Sequence, residues 1–491
     1  MKRKIEGWLP VVLLFCVAVS VSCAEGVSDP FSEDVQAKSL DAWMRMNHPE
    51  LVANYQENGG YYVEVINAGD LSGDPISSME NGWVRYDILG RTLQGDVCLT
   101  RDSLYAKQQG TFTKYTHYVP YFQFAGEPYY DWAFKEGVFL AMRNPLKLGA
   151  DYAAQHDLPE EFELREGSEV VLYMPATVVS TSSANGDGGY EGQYELSADR
   201  PMIARIKIID LVENPIREGG LAVDDFAKAN GDFNPNPDAP DNDAYTWKIA
   251  SRQAAQVYIN RTFNPADETA SMFTYTNPYY GSQQAAEELD RKINAALVER
   301  FGAGDPGQII QSDENVYIWY VIRFLDGFVA DTNIDEVKQI IYGNVESTGR
   351  RISYTPANNK DAQLGAWYYA LPGYFRFGSW GAIVTPSSNG YGYTGIVGKT
   401  VDTSSSSYSS YTSLLNYYSS SNSSLSPDLT GNYYYDFYDL WPGGYEYTIY
   451  QGSTPSVTSF NNTATSNSTV TEILPYTPLL IEFYIEPKGG L

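Results

Sequence analysis

Three blocks of sequence occur twice in this chain, in the same order, and they constrain its fold more than any other feature. Gly137-Val138-Phe139-Leu140-Ala141-Met142 is matched by Ala366-Trp367-Tyr368-Tyr369-Ala370-Leu371. Gly167-Ser168, followed by an apolar run closing at Pro175, is matched at the same spacing by Gly378-Ser379 and Pro386. Met202-Ile203-Ala204-Arg205-Ile206-Lys207-Ile208 is matched by Leu479-Leu480-Ile481-Glu482-Phe483-Tyr484-Ile485. Each copy thus reads as a short helix, a glycine turn into a strand that stops at proline, and a closing strand. The pattern predicts an α+β chain built from two copies of one domain.

Composition narrows the setting. The 491 residues exceed what one ordinary core holds, so more than one domain is expected. With 33 Lys and Arg against 61 Asp and Glu, the formal net charge is -28. A field of that sign repels phosphate backbones and anionic headgroups, which argues against a nucleic-acid partner. The chain has 41 Tyr and only 3 His, which suits a strand-rich surface or extracellular protein and leaves little for histidine catalysis or a metal site. No cofactor and no metal are expected. Residues Lys2, Arg3 and Lys4 precede an apolar run over 8–22, too short to span a bilayer comfortably, so 1–22 reads as a signal peptide. It ends in Ser20-Val21-Ser22-Cys23, which resembles a bacterial lipobox except at Ser20, where an aliphatic residue is usual. Lipidation at Cys23 would remove Cys16 with the signal and leave Cys98 as the one remaining thiol, so no internal disulfide is expected. The expected location is the bacterial outer membrane or cell envelope, with the membrane reached through the lipid anchor alone.

Read in order, 23–55 is a lipidated tether and a short helix over 40–51, and 56–211 is the first domain. Within it, Gly60-Tyr61-Tyr62-Val63-Glu64-Val65-Ile66 alternates as a strand, a turn follows over 69–75, and Trp83-Val84-Arg85-Tyr86 begins a second strand. Residues 212–244 read as an acidic linker around Asn234-Pro235-Asn236-Pro237-Asp238-Ala239-Pro240-Asp241-Asn242-Asp243, whose three prolines break any calcium loop of EF-hand type. In the second domain, 245–491, helices are expected over 250–259 and 283–301. The latter carries Ala286, Leu289, Ile293, Leu297 and Phe301 as one apolar, core-facing stripe. Residues 316–327 form a strand ending in Asp326-Gly327. A Ser-, Tyr- and Asn-rich insertion occupies 395–472.

The opening strand, turn and strand with an inward tyrosine, together with the repeated blocks, resemble the FKBP-type peptidyl-prolyl cis-trans isomerase family. The resemblance implies two FKBP-like domains, each an antiparallel sheet wrapped around a short helix, the first degenerate. It places the family's inward tyrosine at Tyr320, its pocket aspartate at Asp331, its floor tryptophan at Trp367 and its loop tyrosine, a donor to the substrate carbonyl, at Tyr391. Leu364 and Ile481 fall on substrate-contacting positions. Ala330 and Ile481 depart from the family, which has an aromatic wall residue at each. In the first copy Tyr86 matches the inward tyrosine, while Val138 and Ala204 replace aromatic positions, so no catalysis is expected there. The resemblance implies an isomerase or chaperone acting on proline-containing polypeptides or on an envelope protein. The alternative is a non-catalytic module that binds a protein or glycan, with the insertion as a client-binding or sugar-facing surface.

Overall fold

The structure is a computed structural model. It describes residues 33–490 apart from 80–82, 111, 113, 115, 126–134, 180–200, 214, 232, 235–246, 250–256, 261–262, 344–348, 359–363, 391–432, 437–445, 450–472 and 475. The stretch read as a signal peptide, 1–22, lies outside the described residues, as do Cys23 and the expected tether up to 32; from Glu33 the chain is helical. Most of the insertion also lies outside them; within it, Tyr433–Asp436 and Glu446–Ile449 pair as antiparallel strands.

The first part of the chain contributes helix α1 (Glu33–Asn47), strands β1 (Tyr61–Asn67), β2 (Trp83–Thr92), β3 (Val97–Thr100) and β4 (Tyr121–Phe124), helix α2 (Lys135–Arg143), and strands β5 (Glu169–Met174) and β6 (Met202–Val212). The second contributes helix α3 (Pro215–Ala229), strand β7 (Tyr258–Asn260), helix α4 (Gln283–Phe301), strands β8 (Val316–Phe324) and β9 (Val329–Thr332), helix α5 (Asp335–Tyr342), strand β10 (Ile352–Tyr354), helix α6 (Gly365–Ala370), and strands β11 (Trp380–Thr385) and β12 (Leu479–Ile485).

The first sheet runs β1-β5-β6-β2-β3 with β4 also on β2, and the second runs β7-β11-β12-β8-β9 with β10 also on β8. Matched strand for strand, the two paths are the same, and every pair in them is antiparallel. Beyond β7 the second sheet is extended by Trp247–Ile249 and, in parallel, Phe233–Asn234. The glycines of the repeated turn have a backbone reason to be there. Gly167 has φ +78 and Gly378 has φ +72, a region that glycine alone enters without steric cost. A Cβ at Gly378 would also sit 2.4 Å from the Asp305 carbonyl oxygen.

The sheets differ in how they are covered. Along β2, Val84, Tyr86 and Ile88 are buried against Val138, Ala141 and Met142 of α2, and the intervening residues are half-buried, as in a sheet with one core face. Along β8 nearly every residue is buried. Ile318, Tyr320, Ile322 and Phe324 share a core with Trp367 of α6, while Trp319 and Val321 share one with Ile293 and Leu297 of α4. Each fully buried large apolar side chain contributes about 1.5–3 kcal/mol, so the second core on the far face of this sheet is a substantial addition.

Several expectations are corrected. The 212–244 stretch is not only linker: α3 buries Val223, Phe226 and Ala227 in the core of the second sheet. Of the helix expected over 250–259, residues 250–256 lie outside the described residues, and Tyr258 and Ile259 belong instead to strand β7, which pairs with β11. The helix expected over 40–51 starts earlier and stops at Asn47, ahead of a 3-10 turn, Pro49–Asn54. The helix over 283–301 is as expected, with Ala286, Ile293, Leu297 and Phe301 buried.

Candidate functional site

Strand register fixes which residues of the two copies correspond. In the first sheet Leu89 pairs with Thr100, Gly90 with Leu99 and Arg91 with Val97. In the second, Val321 pairs with Thr332, Ile322 with Asp331 and Arg323 with Val329, with the bulge in the same place. The closing strands agree, since Gly90 faces Ala204 and Ile322 faces Ile481. The counterpart of Tyr320 is therefore Ile88, not Tyr86, and the counterpart of Asp331 is Leu99. A slip of two residues keeps the same face of a strand, so alternation in the sequence cannot detect it.

At these positions the second sheet carries a polar pair over an aromatic floor. The Tyr320 hydroxyl donates to Asp331 Oδ2 at 2.8 Å, and the Thr332 N–H donates to Asp331 Oδ1 at 2.8 Å. The Trp367 ring lies 5.9 Å from that of Tyr320 and 6.0 Å, edge-on, from that of Tyr354. Burial raises the Asp331 pKa above the ordinary carboxylate value, and the Tyr320 hydrogen bond partly opposes it. The carboxylate is half-buried, whereas Trp367, Leu364 and Ile481 are fully buried. Leu364 caps the N-terminus of α6, from which Trp367 projects one turn on. The Trp367 indole N–H has no hydrogen-bond partner among the described residues, an arrangement that costs about 1–3 kcal/mol in a buried site. Tyr391 lies outside the described residues.

Two supporting residues escaped sequence reasoning. Past the end of β9 at Thr332, side chains take up the backbone of Tyr320. Asn333 Oδ1 accepts the Tyr320 N–H at 2.7 Å while its Nδ2 donates to the carbonyls of Ile318 and Arg350, and the Thr332 hydroxyl donates to the Tyr320 carbonyl at 2.6 Å. The buried Asn amide thus stands in for a peptide group of the missing ladder. The run Asp331-Thr332-Asn333 just past a strand was the available signal.

The opposite face of β8 holds a second polar cluster. Arg323, fully buried, donates through Nε to Glu482 at 2.6 Å and through Nη1 to Asp290 of α4 at 2.8 Å, and the Tyr275 hydroxyl donates to Asp290 at 2.7 Å. Its register counterpart Arg91 is half-buried and donates to the Tyr105 hydroxyl at 2.8 Å, with no carboxylate partner among the described residues.

No family model matches the chain and no curated protein matches it. Solved structures of FKBP-type isomerases do. The three FKBP domains of wheat FKBP73 match over 88% of this chain and 95% of theirs, at 8% identity and a TM-score of 0.19. FkpA from Escherichia coli matches over 43% of this chain and 73% of its own, at 11% identity and a TM-score of 0.22. A peptidyl-prolyl cis-trans isomerase from Pseudomonas syringae matches over 37% of this chain and 96% of its own, at 11% identity and a TM-score of 0.20. Overlaps this loose add nothing to the reading of the site, which rests on register and geometry.

Proposed function

We propose that the chain carries two copies of one FKBP-like domain and that the second binds, and isomerises, proline-containing polypeptides. The observation that carries this reading is the contrast at matched register. Ile88 and Leu99 fill the first copy with apolar side chains, so the fold does not require the Tyr320 and Asp331 pair that occupies the second. Rotation about an X-Pro bond meets a barrier of about 18–20 kcal/mol set by amide resonance. Lowering it needs an apolar, water-poor site and a few placed polar groups, with no nucleophile, metal or cofactor. Trp367 and Leu364 supply the floor, Asp331 and Tyr320 the polar edge and Ile481 the wall from β12; the family resemblance alone would add the hydroxyl of Tyr391, which lies outside the described residues.

A protease-coupled assay on a proline-containing peptide tests this. Acceleration by the full chain that is lost in Trp367→Ala supports isomerase activity; a wild-type rate equal to that of the variant removes it. The second reading, a binding module for a protein or glycan without catalysis, draws support from the small side chain at Ala330 and from complete burial of Trp367. Peptide binding by the full chain with no acceleration would favour it.

We assign the protein to the bacterial envelope, anchored through acylated Cys23, with a proline-containing polypeptide or an envelope protein as partner and no nucleic acid. Among the described residues no helix is long and apolar enough to cross a membrane. Incorporation of labelled palmitate that disappears in Cys23→Ser is the expected result, and unlabelled wild type would refute the anchor.

A further inference from the structure

One of the chain's three histidines sits where the two sheets' units meet. The segment Thr116-His117-Tyr118-Val119, between β3 and β4 of the first unit, lies against the β8–β9 hairpin of the second. His117 Nε2 is 2.6 Å from Asp326 Oδ2, in the turn of that hairpin. Its ring is boxed by Tyr279, Phe324 and Phe328, with centroids at 5.0, 4.6 and 4.8 Å. The Tyr279 hydroxyl donates to the Thr116 carbonyl at 3.3 Å and accepts the Tyr118 N–H at 3.4 Å. On the first unit's side, Arg101 holds the segment by donating to the carbonyls of His117 and Val119 at 2.9 and 2.7 Å.

We infer that His117 is a protonation-dependent latch joining the two units through the hairpin that carries Tyr320 and Asp331. The turn connects both faces of the contact. Asp326 Oδ1 accepts the Phe328 N–H at 3.0 Å and so shapes the turn, while Oδ2 faces the imidazole. Phe324 and Phe328 belong to the same packed core as Tyr320 and Trp367. Restraint at Asp326 therefore passes into the candidate site through contiguous packing.

Imidazole is the side chain whose charge changes between about pH 5 and about pH 8. The charged and titratable groups around His117 are Asp326 on the hairpin, Arg101 behind the segment and the phenols of Tyr118 and Tyr279; the Tyr280 phenol sits near Asp326. Among the described residues Asp326 is the carboxylate that the ring meets. Protonated His117 makes a charge-assisted hydrogen bond to it, and neutral His117 makes a weaker one. The latch holds while His117 is protonated and loosens when it is neutral. It stands whether or not the second unit binds proline.

Hydrogen exchange read by mass spectrometry on the full chain tests the latch. Peptides over 316–332 are followed at about pH 5.5 and about pH 8, with intrinsic rates corrected for pH. Wild type should lose protection at the higher pH. His117→Gln should abolish that pH dependence and speed exchange at the lower pH about tenfold. Asp326→Asn keeps the oxygen that accepts the Phe328 N–H and should act like His117→Gln, and the double variant should add nothing to either single one. Unchanged hairpin protection in His117→Gln, or additive effects in the double variant, would overturn the latch. Peptides over 202–212, distant from the contact, report whether a variant has simply unfolded.

Discussion

At matched register the two sheets answer the same positions with opposite chemistry. On the helix-facing side the first has Ile88, Leu99 and Val138 where the second has Tyr320, Asp331 and Trp367. On the far side the first has half-buried Arg91 beside Tyr105, and the second has Arg323 locked between Asp290 and Glu482. The common strand path shows what the fold requires, and the differences show what it does not. A half-buried carboxylate with a tyrosine partner is costly to maintain at the edge of a core, and the first copy dispenses with it. What remains specific to the second copy is the candidate site on one face and a helical buttress on the other.

The largest expected effect lies in the buttress. Arg323→Leu strands two buried carboxylates, and chemical denaturation should report a loss of about 3–5 kcal/mol. Arg91→Leu, at the counterpart position, should stay within about 1 kcal/mol. Equal costs would mean that α4 does not change the role of this arginine.

Next is Trp367→Val, which installs the first copy's residue. A cavity of that size under a sheet should lower stability by about 3 kcal/mol, read from the same unfolding curves. A much smaller loss would mean that Tyr354 and Tyr320 collapse into the space.

The two ends of α3 offer a third comparison. Toward the first unit, Glu218 meets Arg85 in a half-exposed ion pair, and toward the second, the Tyr258 hydroxyl donates to buried Asp224. Burial pushes the Asp224 pKa up to about 6 from 3.8, more than the Tyr258 bond lowers it. A carboxyl whose folded-state pKa is raised stabilises the fold fully below its ordinary value, and that contribution is lost as pH rises through about 6. Stability should therefore fall by about 2–3 kcal/mol between about pH 4 and about pH 7. Asp224→Asn should remove that share of the slope, and a slope identical in wild type and variant would contradict the assignment.

Much of the fold was legible because its punctuation has a backbone cause. The Gly-Ser turns need positive φ, and the strands after them alternate or run apolar to a proline. Helix α3 was missed beneath an Asn-, Pro- and Asp-rich neighbour, although Pro215 at its first position and Val223, Phe226 and Ala227 at helical spacing were signals to be read. Strand β4 carries no signal of its own in the sequence, since its identity comes from pairing with β2. In the candidate site, the Tyr320, Asp331 and Trp367 cluster follows from the resemblance, but residue type alone matches Tyr320 to Tyr86, two positions from its register counterpart Ile88. The Arg323 cluster is beyond the reach of sequence alone, because its partners are distant along the chain, Glu482 being 159 positions from Arg323.

The most direct test exchanges the polar pair for the apolar one. Replacing both members of a buried hydrogen bond by apolar groups of suitable size is nearly neutral, so Tyr320→Ile with Asp331→Leu should unfold within about 1 kcal/mol of wild type. Magnetisation exchange between the cis and trans signals of a proline-containing peptide then measures the activity of each protein. Acceleration by wild type that vanishes in the folded double variant is the result predicted here. Equal exchange in both proteins would contradict it and make the pair an alternative filling of the same core.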